Sequence, residues 1–134
     1  ESLHQLEQIV DRLPSQTDLV IGHSFGCSIS SLLGIKADMT IHICDVRLAE
    51  KSNLNDYIHY LSSNFDISRE KAKKTIHMAE DVYKVTRNIV TQGPVLQFVP
   101  TSDEFFDYKV QGDSFKGDHF QIDEALSKIK KEYL

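Results

Sequence analysis

The run Leu19-Val20-Ile21, leading straight into Gly22-His23-Ser24-Phe25-Gly26, constrains this chain more than any other stretch. It fits G-x-S-x-G, a pattern that places a serine at the tip of a sharp strand-to-helix turn. The spacing has a steric reason. The residues two before and two after the serine must be small for strand and helix to pass closely, and the serine itself takes up strained backbone. The turn lifts the hydroxyl clear of the sheet. The amide of Phe25, next in the chain, then points to where negative charge would develop on an attacked carbonyl oxygen. A helix starting there adds the positive end of its dipole. The string alone is common, and its flanks give it weight. A strand over 18–22 precedes it, and Cys27-Ser28-Ile29-Ser30-Ser31-Leu32-Leu33 is helix-compatible and ends at Gly34.

At 134 residues the chain reads as one domain over 1–134. A net charge of -5 argues against nucleic acid as a main partner, since phosphate binding needs a basic face. No run approaches the roughly 18 apolar residues of a membrane span. No secretory leader is visible and the chain opens at Glu1, so a processed or excised piece is expected. Cys27 and Cys44 read as small buried apolar residues, unpaired, in a reducing compartment; the expected location is the cytoplasm. C-x-x-C and H-E-x-x-H are absent, so the sequence gives no support to a metal site. A P-loop and G-x-G-x-x-G are absent too, so no nucleotide or redox cofactor is implied.

Along the chain, Leu3, Leu6, Ile9, Val10 and Leu13 stand at helical spacing, which predicts an amphipathic helix over 1–13. Lys36-Ala37-Asp38 reads as a connection and 39–44 as a second strand, with His42 a packed residue on it. Residues 52–90 are helical and lid-like. One helix covers 53–61, and a second opens after the cap Ser68 with Ala72, Ile76 and Ala79 on one face. Whether 81–90 continues that helix or bends away is open. Strands follow over 95–99 and 106–110, then a glycine-punctuated loop from Gly112 to Asp118 that delivers His119. A closing helix over 123–133 carries Ala125, Leu126 and Ile129 as its apolar stripe. The alternation of strands and helices predicts an α/β fold, a parallel sheet with flanking helices.

In such sheets, chemical groups gather at the carboxyl ends of the strands. Ser24 follows the first strand, an acid follows a later one, and His119 lies in a late loop. A serine hydroxyl is a weak nucleophile at neutral pH. It needs an imidazole as general base, and the imidazole needs a carboxylate to fix its tautomer and stabilise its cation. The order serine, acid, histidine is the one used by α/β-hydrolases.

Gly22-His23-Ser24-Phe25-Gly26 together with Gly117-Asp118-His119-Phe120 resembles the α/β-hydrolase superfamily, and most of all the thioesterases of fatty acid, polyketide and nonribosomal peptide synthesis. The resemblance spans the chain from about Ser2 to the closing helix and implies a truncated α/β-hydrolase-like fold with a helical lid insertion at about 52–90. It implies a serine hydrolase that cleaves an acyl thioester or ester, the acyl group being carrier-protein-linked in many members. Ser24 would be the nucleophile, His119 the base and the Phe25 amide an oxyanion donor. Two acids compete for the third role. Asp103 follows the 95–99 strand, where most of the superfamily holds its acid, in a turn-like loop of the usual kind. Asp45 follows the 39–44 strand, the position used by many carrier-linked thioesterases. Asp103 is favoured, although the stretch from it to His119 is too short for the helix that normally intervenes. Tyr57, Ile58, Leu61, Ile76 and Met78 are the candidates for an apolar acyl pocket under the lid. Asp118 reads as a loop-shaping residue, and Glu104 and Asp107 as solvated carboxylates.

The sequence departs from the family upstream, where a single helix stands in place of several strands. The loop that normally gives the second oxyanion donor is not found before the turn. The expectation is therefore the carboxyl-terminal part of a larger hydrolase, a fragment paired with a partner chain, or a shrunken homodimer that completes the sheet across an open edge. Two other readings compete with the thioesterase: a non-catalytic binding or assembly module on a hydrolase scaffold, and a general carboxylesterase, lipase or acyltransferase.

Overall fold

The structure, a computed structural model, describes residues 8–91, 93–108 and 112–134. It is a mixed α/β fold around a four-stranded sheet in the order β1-β2-β4-β6. The strands are β1 (Gln16–His23), β2 (Lys36–Ile43), β4 (Val95–Pro100) and β6 (Asp113–Phe115), and each adjacent pair is parallel. A separate antiparallel ribbon pairs β3 (Ala49–Ser52) with β5 (Phe106–Tyr108). The helices are α1 (Phe25–Leu33), α2 (Leu54–Asn64), α3 (Arg69–Thr86) and α4 (Asp123–Tyr133), and Val46–Leu48 forms a 3-10 turn.

Strand alternation sets the two faces. Successive side chains of β2 point to opposite sides. Ile41 and Ile43 face α4 and share a core with Phe98, Phe115, Ala125 and Ile129. His42 faces the other way and meets Ser30 of α1. Both faces of the sheet are thus covered by helix, as a parallel sheet requires. α1 stops at Gly34, which takes up the left-handed conformation at φ 60 and closes the helix as a C′ glycine does.

Several expectations need correction. Residues 36–38 begin β2, because Ala37 is drawn under the sheet and 6% exposed. The strand at 106–108 is not part of the main sheet; it turns out to pair with β3, which the sequence does not signal. Its expected continuation over 109–110 lies outside the described residues. The fourth sheet strand is β6, inside the stretch expected to be loop. Phe115, 1% exposed, is what draws those residues into the core. α3 runs to Thr86 and no further. In α4, Ala125 and Ile129 are buried, but Leu126, one position along the helix from Ala125, is 42% exposed. At the amino end, residues 8–10 are helical and 11–12 form a turn, with Ile9 57% exposed; Leu3 and Leu6 lie outside the described residues.

One topological detail positions the site. Strands β4 and β6 are parallel neighbours, so the loops leaving their carboxyl ends lie side by side. Two hydrogen bonds join them: the Thr101 amide donates to the Phe115 carbonyl at 2.9 Å and the Ser102 amide to the Gly117 carbonyl at 3.3 Å. The described part of the connection carries β5 and no helix. The short spacing between Asp103 and His119 is therefore sufficient, because the chain leaves the sheet through the ribbon and returns at once.

Candidate active site

Ser24 sits where β1 turns into α1, with φ 54 and ψ -118, a conformation that costs a non-glycine residue on the order of 1–3 kcal/mol. The turn is tight. A Cβ on Gly22 would press on the Cα and amide of Cys27 and the carbonyl of Gly26 at 3.0 Å, so a larger residue would have to push backbone aside. Ser24 occupies the N-cap position of α1, yet its side chain makes no cap bond. The hydroxyl goes instead to Nε2 of His119, at 2.8 Å. The Nδ1–H of His119 donates to Oδ2 of Asp103 at 2.9 Å. That bond fixes the tautomer in which Nε2 carries a lone pair and accepts the serine proton.

Each member is held by its own surroundings. Asp103 Oδ1 accepts the amides of Phe105 at 2.9 Å and Phe106 at 3.0 Å, which leaves Oδ2 for the imidazole. Burial would raise the Asp103 carboxyl, but the hydrogen bond and charge of His119 and the two amides outweigh it and hold the group below its ordinary value. Asp118 performs the same local service for the histidine loop, its Oδ1 accepting the amides of Phe120 and Gln121 at 2.8 Å. His119 is fully buried, under the rings of Tyr57, Phe105, Phe106 and Phe120. His23, a residue without an expected role, donates Nε2–H to the His119 carbonyl at 2.7 Å and ties the turn to the histidine loop. Burial holds the His23 pKa below its ordinary value. The amide of Phe25 is in the first turn of α1 and so has no intrahelical acceptor. Its ring is 37% exposed and meets Tyr83 edge-on.

Gly117 shapes the same loop. A Cβ there would run into the Gln121 carbonyl oxygen and press on the Phe115 ring at 3.0 Å. Gly117→Ala is expected to shift the loop and slow covalent labelling of Ser24 by about 100-fold, the typical result of an ångström-scale misplacement. Labelling rates of the two proteins under identical conditions measure this.

Asp45 is placed elsewhere and does not face His119. Its carboxylate is bound by Arg47 in a fork, Nε to Oδ1 at 2.8 Å and Nη2 to Oδ2 at 2.6 Å. His42 Nδ1 lies 3.2 Å from Oδ2. Burial would raise the Asp45 carboxyl; the bonds and charges of Arg47 and His42 overcome that and bring it to about 2. Arg47 also reaches the Ser31 hydroxyl at 2.7 Å. With Ser30 Oγ 2.8 Å from His42 Nε2, a second serine–histidine–aspartate relay runs through the other face of the sheet. It lacks the strained turn and the free helix-end amide that accompany the first one. Ser30 is inside α1, where the amides are spent in the helix, and its hydroxyl donates to the Cys27 carbonyl at 2.9 Å. This network is a buried ion pair that pins β2 to α1 and α3.

The expected acyl-pocket residues separate. Tyr57 is at the site. Ile58 and Ile76 are buried with Ala72 between α2 and α3, and Leu61 packs against them. Met78 is 66% exposed, because two residues beyond Ile76 a helix has turned to its opposite side. A cavity of about 500 Å³ is lined by 51–53 and 99–108 and includes Asp103, but neither Ser24 nor His119 borders it.

Two clusters bring ligand-type atoms within 4.8 Å of one another, Cys27 with His42 and Asp45, and Cys44 with Asp103 and His119. In both, histidine and carboxylate already engage each other, and both thiols are buried and unpaired. Burial and the charge of Asp103 push the Cys44 thiol up to about 12. Among the described residues, no helix is long and apolar enough to cross a membrane.

Fold and site together define a parallel α/β chain with a serine–histidine–aspartate relay on a strained strand-to-helix turn. No protein-family model, curated protein or solved structure matches the chain.

Proposed function

We propose that this chain is a serine hydrolase of the α/β-hydrolase type, cleaving an acyl ester or thioester through Ser24, His119 and Asp103. One observation carries the reading: the unbroken relay of 2.8 Å and 2.9 Å from a serine held at φ 54 to a buried carboxylate. His119 Nε2 takes the Ser24 proton as Oγ bonds to the acyl carbon. The carbonyl electron pair moves onto oxygen, next to the Phe25 amide and the amino end of α1. When the tetrahedral centre collapses, the imidazolium returns its proton to the departing alcohol or thiol, and water releases the acyl group by the same steps in reverse. Asp103 stays ionised and holds the imidazole in orientation. A thioester of the carrier-linked kind is the substrate class suggested by the resemblance in the turn and the histidine loop.

A second reading, a binding module that retains the scaffold, is favoured by the full burial of His119 and by the cavity that leaves Ser24 outside. A general esterase or acyltransferase shares the machinery and differs in acyl donor and acceptor. Treatment with a fluorophosphonate probe and intact-mass measurement tests the proposal. The expected result is one adduct on the wild-type chain and none on Ser24→Ala or His119→Ala. A folded wild type that takes up no adduct defeats the hydrolase reading and leaves the binding module.

A further inference from the structure

Attack at Ser24 would place negative charge on an oxygen for which the backbone offers the Phe25 amide. One donor falls short of a full oxyanion hole, which in acyl transfer uses at least two. The missing donor must lie close to Ser24 Oγ, since the oxyanion is bonded to the same carbon. It must also keep its proton at working pH.

Tyr57 meets both requirements. It lies one turn into α2, and the start of that helix is fixed to the loop carrying Asp103: the Asn53 amide donates to the Phe105 carbonyl at 2.7 Å. The Tyr57 ring is wedged among Phe105, Phe106 and Phe120 at centroid distances of 5.1, 5.6 and 6.1 Å. It stands edge-on to His119 at 5.8 Å. From that position it is close enough to Ser24 for the serine side chain to act on its phenol. Burial raises the phenol above its ordinary value, with the neighbouring Ser24 side chain a smaller opposing effect, so it keeps its proton.

We propose that the Tyr57 hydroxyl is the second oxyanion donor, a catalytic residue supplied by the helical segment between β2 and β4. The assignment rests on the serine-hydrolase reading. In the resting protein the Ser24 proton goes to His119, with Tyr57 standing beside the pair. As Oγ bonds to the acyl carbon and the carbonyl pair moves to oxygen, the phenol O–H donates to that oxygen and keeps its proton. The charge is then shared between the Phe25 amide and Tyr57. The covering helix thereby becomes part of the catalytic apparatus, and turnover requires it to be in place.

Tyr57→Phe tests this, since it keeps the ring and its packing and removes one oxygen. The full chain is assayed with p-nitrophenyl butyrate, with phenylboronic acid as a tetrahedral mimic, alongside Ser24→Ala. The expected result is a fall in kcat of about 100-fold, the usual effect of deleting one oxyanion donor. KM should hold, and affinity for phenylboronic acid should fall with kcat/KM. The acid limb of the pH profile should stay in place, because His119 and Asp103 are untouched. The assignment is overturned by turnover within about twofold of wild type, by a rise in KM alone, or by a displaced acid limb. A wild-type chain with no Ser24-dependent turnover overturns the hydrolase reading and this assignment with it. An active wild type with an unaffected Tyr57→Phe overturns this assignment alone.

Discussion

Asp103→Asn will lower ester turnover by about 10⁴-fold, the loss seen when a triad carboxylate becomes an amide, with little change in thermal stability. The reason is the tautomer. The amide keeps an oxygen for the Phe105 and Phe106 amides, so the local turn survives. It then offers an N–H to His119 Nδ1 where the carboxylate accepted one. The imidazole moves its proton to Nε2 and loses the lone pair that accepts the Ser24 proton. Asp45→Asn should do the opposite, leaving turnover near wild type and lowering the melting temperature, because Asp45 serves Arg47 and His42. Steady-state kinetics and thermal melting on the pair decide between the two acids. Equal loss of turnover in both would place Asp45 in the mechanism and defeat the present assignment.

The largest stability effect is expected at Arg47. Arg47→Ala should destabilise the fold by about 3–5 kcal/mol, because it strands a buried carboxylate. The Asp45 side chain is 2% exposed and Arg47 8%, so water cannot replace the guanidinium cheaply. Denaturant unfolding measures the loss. Replacing both members by apolar residues, as in Asp45→Leu with Arg47→Met, should recover most of it, since a buried ion pair adds little beyond a packed hydrophobic contact. The pair also sets an acid dependence. Asp45 is depressed to about 2 in the folded state. Its unfolded value is about 3.9, so its contribution of about 2–3 kcal/mol is fully present above that pH. It is lost as pH falls through about 2, the folded value. In Arg47→Ala the melting temperature should fall less steeply over that interval.

The sequence by itself determined the features whose physics is local. Glycine at 22 and an apolar strand at 19–21 specify the turn at Ser24, because close passage of strand and helix is a question of neighbouring atoms. The cap at Ser68 and the stop at Gly34 act within one helical turn, and their residue types announce them. The alternation of strand and helix gives a parallel sheet for the same reason, since a crossover returns the chain in one direction.

Only the tertiary structure decided what depended on distant partners. The turn-like loop around Asp103 favours it over Asp45 by resemblance, but neighbouring residues do not bring either acid to His119. The outcome follows from β6 pairing beside β4, which places one loop against the other, and from Arg47 capturing Asp45. β6 itself is three residues long, too short for a period-two pattern, and it is a strand because Phe115 is buried against β4 and α4. His23 carries no signal of its contact in sequence, and Tyr57 stands out there only as a candidate pocket residue. The partner of His23 is a backbone carbonyl 96 residues away, and Tyr57 reaches the site only because α2 folds over the carboxyl edge of the sheet. The helical spacing of Ile58, Ile76 and Met78 marks apolar surface but does not say which neighbour covers it. Packing of α2 on α3 buried the first two and left the third in solvent.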